Sequence, residues 1–224
     1  MSRTALLLGA SGLIGGHCLE LLLADKDYGQ ITILVRKLLP QTHPKLTQRI
    51  VNFDRLTEAA DAFQVQDVFC CLGTTIKTAG SQAAFRQVDF TYPVESARLA
   101  MQQGAAQFLL VSSLGADAKS SVFYSRTKGE VERAIAASDL SSVQIFRPSL
   151  LLGQRAEVRT GEVMAEKISR ALSFLLLGPL RKYRPIEARA VAAAMIAVAK
   201  QQPAGIHIYE SDRIAQTSVQ YGER

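Results

Sequence analysis

The chain has 224 residues, 48% of them hydrophobic, enough for one α/β domain with a substantial core and too apolar for a disordered protein. Its net charge is +6, from 26 basic and 20 acidic residues; apart from the cluster Arg181-Lys182-Tyr183-Arg184 the cations are dispersed, which argues against a nucleic-acid surface and suits a phosphate-bearing small ligand. No apolar run reaches the roughly 18–20 residues of a membrane span; the longest, Ala171 to Leu180, ends at Gly178-Pro179, and Ala5–Leu8 is cut off at once by glycines, so a cytoplasmic protein without membrane contact is expected.

Short apolar strands alternate with amphipathic stretches. Strands are predicted at Ala5–Leu8, Ile31–Val35, Arg49–Phe53, Val68–Leu72, Phe108–Ser112, Val143–Phe146 and Ile206–Tyr209. Helices are predicted at Leu13–Ala24, near Leu56–Ala62, and at Ala83–Gln103, Ser125–Ala137, Gly161–Leu177 and Ile186–Lys200. The first helix carries Ile14, Cys18, Leu21 and Leu22 on one face. Near-continuous apolar strands between helices imply a parallel sheet covered on both sides, an open doubly wound α/β fold of the Rossmann type. A single domain over residues 1–224 is expected. Beyond Pro148 the rhythm loosens, and residues 153–185 are expected to form a small substrate-side lobe.

Cys18, Cys70 and Cys71 show no C-x-x-C spacing. On a strand Cys70 and Cys71 would point to opposite faces, and all three read as reduced, buried thiols. His17, His43 and His207 are scattered, so no metal site is expected.

The first strand runs directly into Gly9-Ala10-Ser11-Gly12-Leu13-Ile14-Gly15, a G-x-x-G-x-x-G turn that opens a helix. In that context Gly9 gives a sharp exit from the strand, Gly12 lets backbone N–H groups approach a pyrophosphate, and Gly15 lets helix and sheet pack closely. The helix N-terminus adds free N–H groups and a positive dipole end, and Ser11 a hydroxyl. This is a dinucleotide turn. After the second strand come Arg36 and Lys37, where an acidic residue would favour NAD; cations there suit a 2′-phosphate, so NADPH is expected over NAD(H). Asp54, after the third strand, is placed to touch the adenine amino group. Gly73, after the fourth, allows close backbone approach to the adenosine half.

Tyr124-Ser125-Arg126-Thr127-Lys128 is Tyr-x-x-x-Lys, which on a helix puts both side chains on one face. A nearby ammonium stabilises a phenolate, so the tyrosine can exchange a proton. Ser113, at the end of the fifth strand, could hydrogen-bond a substrate carbonyl oxygen. Ser113, Tyr124 and Lys128 are therefore the candidate catalytic residues.

These stretches, with Cys70-Cys71-Leu72-Gly73-Thr74-Thr75, Ser112-Ser113-Leu114-Gly115-Ala116-Asp117, Gly129-Glu130-Val131-Glu132 and Phe146-Arg147-Pro148, resemble the atypical short-chain dehydrogenase/reductases, and within them the Tat-interacting-protein branch of NADPH-binding oxidoreductases. The resemblance covers about two-thirds of the chain. It implies a seven-stranded core and cofactor contacts from Ser11, Gly12, Leu13, Ile14, Arg36, Lys37, Leu72, Gly73, Tyr124, Lys128, Leu151 and Arg159. Many members of the wider superfamily carry an Asn after the fourth strand, to relay protons to the lysine. Here Asp89 stands at that place, and a carboxylate cannot be the same neutral donor.

No pattern identifies the substrate. Arg155, Arg159, Arg181, Lys182 and Arg184 suit an acidic ligand, the cofactor phosphates or a solvated face, and Phe174–Leu177 with Leu180 suits core or an interface. Two functions fit: an NADPH-dependent reductase of a small carbonyl, with its small-molecule substrate as partner, or an NADPH-sensing regulator with little turnover. An oligomer is compatible with either.

Overall fold

The computed structural model describes residues 2–152 and 178–222. Within them the chain forms β1 (Arg3–Leu8), α1 (Leu13–Ala24), β2 (Tyr28–Val35), β3 (Leu46–Ile50), a kinked 3₁₀ segment (Phe53–Phe63) and β4 (Asp67–Cys70). It continues through α2 (Ile76–Ala79), α3 (Gln82–Arg86), a π-helical turn (Gln87–Thr91), α4 (Tyr92–Gln102), β5 (Gln107–Val111), α5 (Phe123–Ala136) and β6 (Ser142–Arg147). Then follow β7 (Leu151–Leu152), a 3₁₀ turn (Gly178–Tyr183), β8 (Ile186–Glu187), α6 (Ala188–Gln201), β9 (Gly205–Glu210) and α7 (Ser211–Gly222). Seven strands make one sheet in the order β3-β2-β1-β4-β5-β6-β9, every pair parallel, and β7 pairs β8 separately. This is the doubly wound order, and its reversal point lies between β1 and β4.

The strands read as unbroken apolar runs because both faces are covered. Ala5, Leu7, Phe69, Leu109 and Phe146 face the layer of α1, α6 and α7, with Cys18, Leu22, Met195 and Ile214. Leu6, Leu8, Val68, Phe108, Leu110 and Ile145 face the 3₁₀ segment, α4 and α5, with Phe63, Leu99, Val131 and Ile135. Cys70 and Cys71 do fall on opposite sides, one in each core. Burial pushes the Cys70 thiol up to about 12, and Cys71 is raised by its hydrogen bond with Cys18 and by burial. Both therefore stay protonated and unreactive.

Two predicted elements differ, and one observed helix is not among those predicted. The third strand is Leu46–Ile50 rather than Arg49–Phe53. It is the sheet edge and exposes Thr47 and Ile50, whereas Val51 and Phe53 are apolar because they pack, partly buried, against the core on the 3₁₀-segment side of the sheet. The helix predicted over Ala83–Gln103 is interrupted by the π-turn, which closes with Tyr92 N–H on Gln87 O immediately before Pro93. Proline has no N–H to continue the ladder, so the helix restarts there. Helix α7, in which Ile214 is the one buried apolar side chain among those described, carries too faint an apolar period to be predicted. The expected helix Gly161–Leu177 lies outside the described residues, as do Arg155 and Arg159. Among the described residues no helix is long and apolar enough to cross a membrane, and no His/Cys/Asp/Glu group could hold a metal ion.

A buried polar cluster pins the N-terminal end of the sheet, away from the glycine turn. Asp67 is fully buried and accepts two bonds from Arg3, at 2.9 and 2.7 Å, one from Tyr28 Oη at 2.7 Å and one from Gln107 Nε2 at 2.6 Å. Arg3, Tyr28, Asp67 and Gln107 open β1, β2, β4 and β5, so one carboxylate ties four adjacent strands.

Candidate nucleotide-binding and catalytic site

The glycine turn is built as its spacing requires. Gly9 has φ +85°, and a Cβ there would lie 2.4 Å from Cys71 O; one at Gly15 would lie 2.0 Å from Gly9 O. Neither position admits a side chain. A Cβ at Gly12 meets nothing closer than Gly9 O at 3.3 Å, so the fold nearly tolerates one and the glycine there keeps the approach to the backbone open. Gly12 N–H donates to Gly9 O at 2.9 Å and Gly16 N–H to Gly12 O at 2.8 Å. As helix cap, Gly12 offers no side-chain acceptor to the first turn of α1. The N–H groups of Leu13, Ile14 and Gly15 thus suit an anion. The Ile14 side chain is buried in the core while Ser11 is exposed.

Arg36 and Lys37 follow β2 directly and are exposed. Asp54 lies across from them: its carboxylate accepts Tyr92 Oη at 2.7 Å and Gln87 Nε2 at 3.1 Å, while its N–H is held by Asn52 Oδ1 at 3.0 Å. Burial and the bond to Asp54 raise the Tyr92 pKa, and the charge of Arg36 opposes them. Arg36, Asp54 and Tyr92 therefore share one corner of the site, and Tyr92 is a member that sequence reasoning missed.

At the other end, α5 carries Tyr124 and Lys128. The Tyr124 ring packs on Phe85, centroids 5.6 Å apart. Lys128 is buried, and its Nζ lies 2.7 Å from Asp89 Oδ1, both side chains being less than a tenth exposed. The contact is ionic rather than an aligned hydrogen bond. Asp89 Oδ2 accepts Thr74 N–H at 2.8 Å. Burial alone would lower the Lys128 pKa, but the charge of Asp89, aided by Tyr124, outweighs it and raises the value. Gly73 leans on this pair: a Cβ there would stand 3.5 Å from Asp89 Oδ1 and 3.9 Å from Lys128 Nζ. Leu72 is partly buried against the α4/α5 core. Gly129, which follows the Tyr-x-x-x-Lys motif directly, has a packing role that its place in the sequence does not reveal. A Cβ on it would lie 2.1 Å from Ala118 N, so only glycine lets α5 seat against the loop that carries Ser113.

The Ser113 hydroxyl is buried and, among the described residues, has no hydrogen-bond partner; the same holds for Ser112. Beside Ser113 opens a cavity of about 460 Å³, walled by Arg147, Ser149, Lys182, Tyr183 and Glu210. Arg147 is held by Glu132 and Lys182 by Glu210, the latter at 3.1 Å, so each cation is already paired with a carboxylate. Arg181 is exposed. Leu151, half-buried, is paired in β7 with Ile186 of β8.

A doubly wound parallel sheet with a glycine turn at its first β–α junction, and with Ser113, Tyr124 and Lys128 following its fifth strand, has the architecture of a pyridine-nucleotide-binding protein. The family model described as NAD(P)H-binding matches residues 9–202, and the chain belongs to that family. Among its relatives, the protein HTATIP2 of Rattus norvegicus is 39% identical over 74% of this chain and 70% of its own. The protein fmp52, mitochondrial, of Emericella nidulans is 33% identical over 93% and 96%. These agree with the branch recognised from the Cys70–Thr75 and Ser112–Asp117 runs. Among solved structures, WbmH of Bordetella bronchiseptica in complex with NAD+ superimposes with a TM-score of 0.71 at 14% identity, over 94% of this chain and 76% of its own. MoeE5 in complex with UDP-glucose and NAD does so with 0.69 at 16%, over 97% and 81%. At those identities the likeness is one of fold.

The expected cytoplasmic location does not stand. The fungal relatives are named as mitochondrial proteins. That no helix among the described residues is long and apolar enough to cross a membrane does not distinguish one compartment from another.

Proposed function

We propose that the protein is an NADPH-dependent oxidoreductase acting on a small carbonyl or alcohol. The observation that carries this reading is the buried, unpartnered Ser113 hydroxyl beside an open cavity, on the same end of the sheet as Tyr124 and the buried Lys128. An orphaned hydroxyl of this kind fits a substrate oxygen.

The residues present fit the nucleotide. Backbone N–H groups from Gly12 to Gly15, with Ser11, would hold the pyrophosphate. Arg36 and Lys37 would hold a 2′-phosphate, and Asp54, with Tyr92 fixing it, would meet the adenine amino group. Leu72, Gly73 and Leu151 would line the path, and Lys128 would bind ribose hydroxyls; Arg159 lies outside the described residues. When bound, the nicotinamide supplies or accepts the hydride. Ser113 donates a hydrogen bond to the substrate oxygen and polarises the carbonyl. Tyr124 gives the proton to that oxygen, and the Lys128 ammonium stabilises the phenolate left behind.

A carbonyl panel assayed by NADPH oxidation tests this, with Tyr124→Phe as control: turnover that vanishes in the variant is expected. The Asp89–Lys128 pair, with Asp89 at the place where the resemblance implies a neutral Asn, favours one second reading, a nucleotide-binding regulator. Tight NADPH binding with no Tyr124-dependent turnover on any substrate would be its signature.

A further inference from the structure

We propose that Asp89 is a positioning residue that acts through Lys128: as the lysine's fixed counter-ion, it sets the pH at which Tyr124 exchanges its proton. This rests on the oxidoreductase reading of Tyr124 and Lys128. Three features of the fold hold the carboxylate in place. The π-turn, closed just before Pro93, carries Asp89 inward to 1% exposure. Thr74 N–H fixes Oδ2 at 2.8 Å, and Lys128 Nζ sits 2.7 Å from Oδ1. Phe85, in the helix leading into that turn, packs on the Tyr124 ring, so one element positions both partners of the Tyr–Lys pair.

The groups facing Lys128 are Asp89 from the π-turn, Tyr124 from its own helix and Cys70 from β4, and the Cys70 thiol is kept neutral by burial. The charge beside Tyr124 is thus an ammonium–carboxylate pair, close to neutral as a whole. A lone buried ammonium would favour the phenolate far more strongly. An asparagine at position 89 could still accept Thr74 N–H but could not offset the lysine.

The test is a charge cycle read in the alkaline limb of carbonyl reduction, where protonated Tyr124 is required. Asp89→Asn should move that limb down by about one pH unit or more, and Lys128→Gln should move it up comparably. The neutral double variant should return to within a few tenths of a unit of the wild type. The same shifts are readable without turnover, in the carbon-13 signal of the Tyr124 ring carbon bearing the hydroxyl, identified by its loss in Tyr124→Phe. A fall in rate with the limb and the carbon-13 titration unmoved makes Asp89 merely structural and overturns the proposal. Shifted titrations in a protein that reduces no carbonyl support it and overturn the oxidoreductase reading instead. Should Asp89→Asn fail to fold, the double variant decides against Lys128→Gln alone: recovery supports the proposal, and a limb left where Lys128→Gln put it overturns it.

Discussion

The three glycines of the turn, alike in sequence, do different jobs, and substitution separates them. Gly15→Ala forces a methyl into Gly9 O, so backbone must shift; a stability loss of about 3 kcal/mol or more is expected by urea denaturation. Gly12→Ala leaves the fold within about 1 kcal/mol of wild type but crowds the approach to the pyrophosphate, and NADPH affinity should fall at least about tenfold. At the adenosine corner, Arg36→Ala removes a charged partner of the 2′-phosphate. NADPH binding should weaken by about tenfold to a hundredfold while NADH binding barely changes, as measured by titration with each nucleotide; equal losses for both would place the 2′-phosphate elsewhere.

At the scale of elements, the sequence discloses what period and punctuation encode and conceals what depends on a neighbour. Six of the seven sheet strands are visible as apolar runs: β1, β2, β4, β5 and β6 are buried over most of their length, and β9 pairs along its length with β6. The edge strand β3 is displaced in the reading because an edge exposes half its residues. The break in the Ala83–Gln103 helix follows from Pro93, yet its form, a π-turn that rotates Asp89 inward, appears only in three dimensions. Ser113, Tyr124 and Lys128 are legible because strand–Ser and Tyr-x-x-x-Lys are local patterns. Tyr92 is not, nor are the packing role of Gly129 and the direct contact of Asp89 with Lys128, since each is defined by a contact from a distant segment. The Asp67 cluster was equally silent, being assembled from four strands. Asp67→Ala leaves Arg3 and Tyr28 without their acceptor in a buried site, and a loss of about 3 kcal/mol or more is expected, seen as a lowered melting temperature with nucleotide contacts intact.

For the whole molecule, folding raises the proton affinity of several groups with alkaline ordinary values. Burial raises Tyr28 and Tyr221; in Lys128 and Lys200 acidic partners outweigh a burial that would lower them. A group whose pKa is raised in the folded state stabilises the fold below its unfolded value and loses that stabilisation as pH climbs towards the folded one. The ordinary values are 10.0 for tyrosine and 10.5 for lysine, so the decline opens at about pH 10. Urea midpoints should be level between about pH 7 and 9 and fall beyond that; a midpoint that holds or rises through about pH 11 would show these groups to be uncoupled from folding.

In the proposed binding mode one nucleotide spans the molecule, its pyrophosphate on the Gly9–Gly15 turn and its nicotinamide ribose on Lys128. The NADPH dissociation constant, compared across the wild type, Gly12→Val and the neutral Asp89→Asn/Lys128→Gln pair, tests it most directly. Loss of about tenfold or more in both variants is predicted. Wild-type affinity in the neutral pair alongside loss in Gly12→Val would contradict it, leaving Tyr124 and Lys128 off the bound nucleotide.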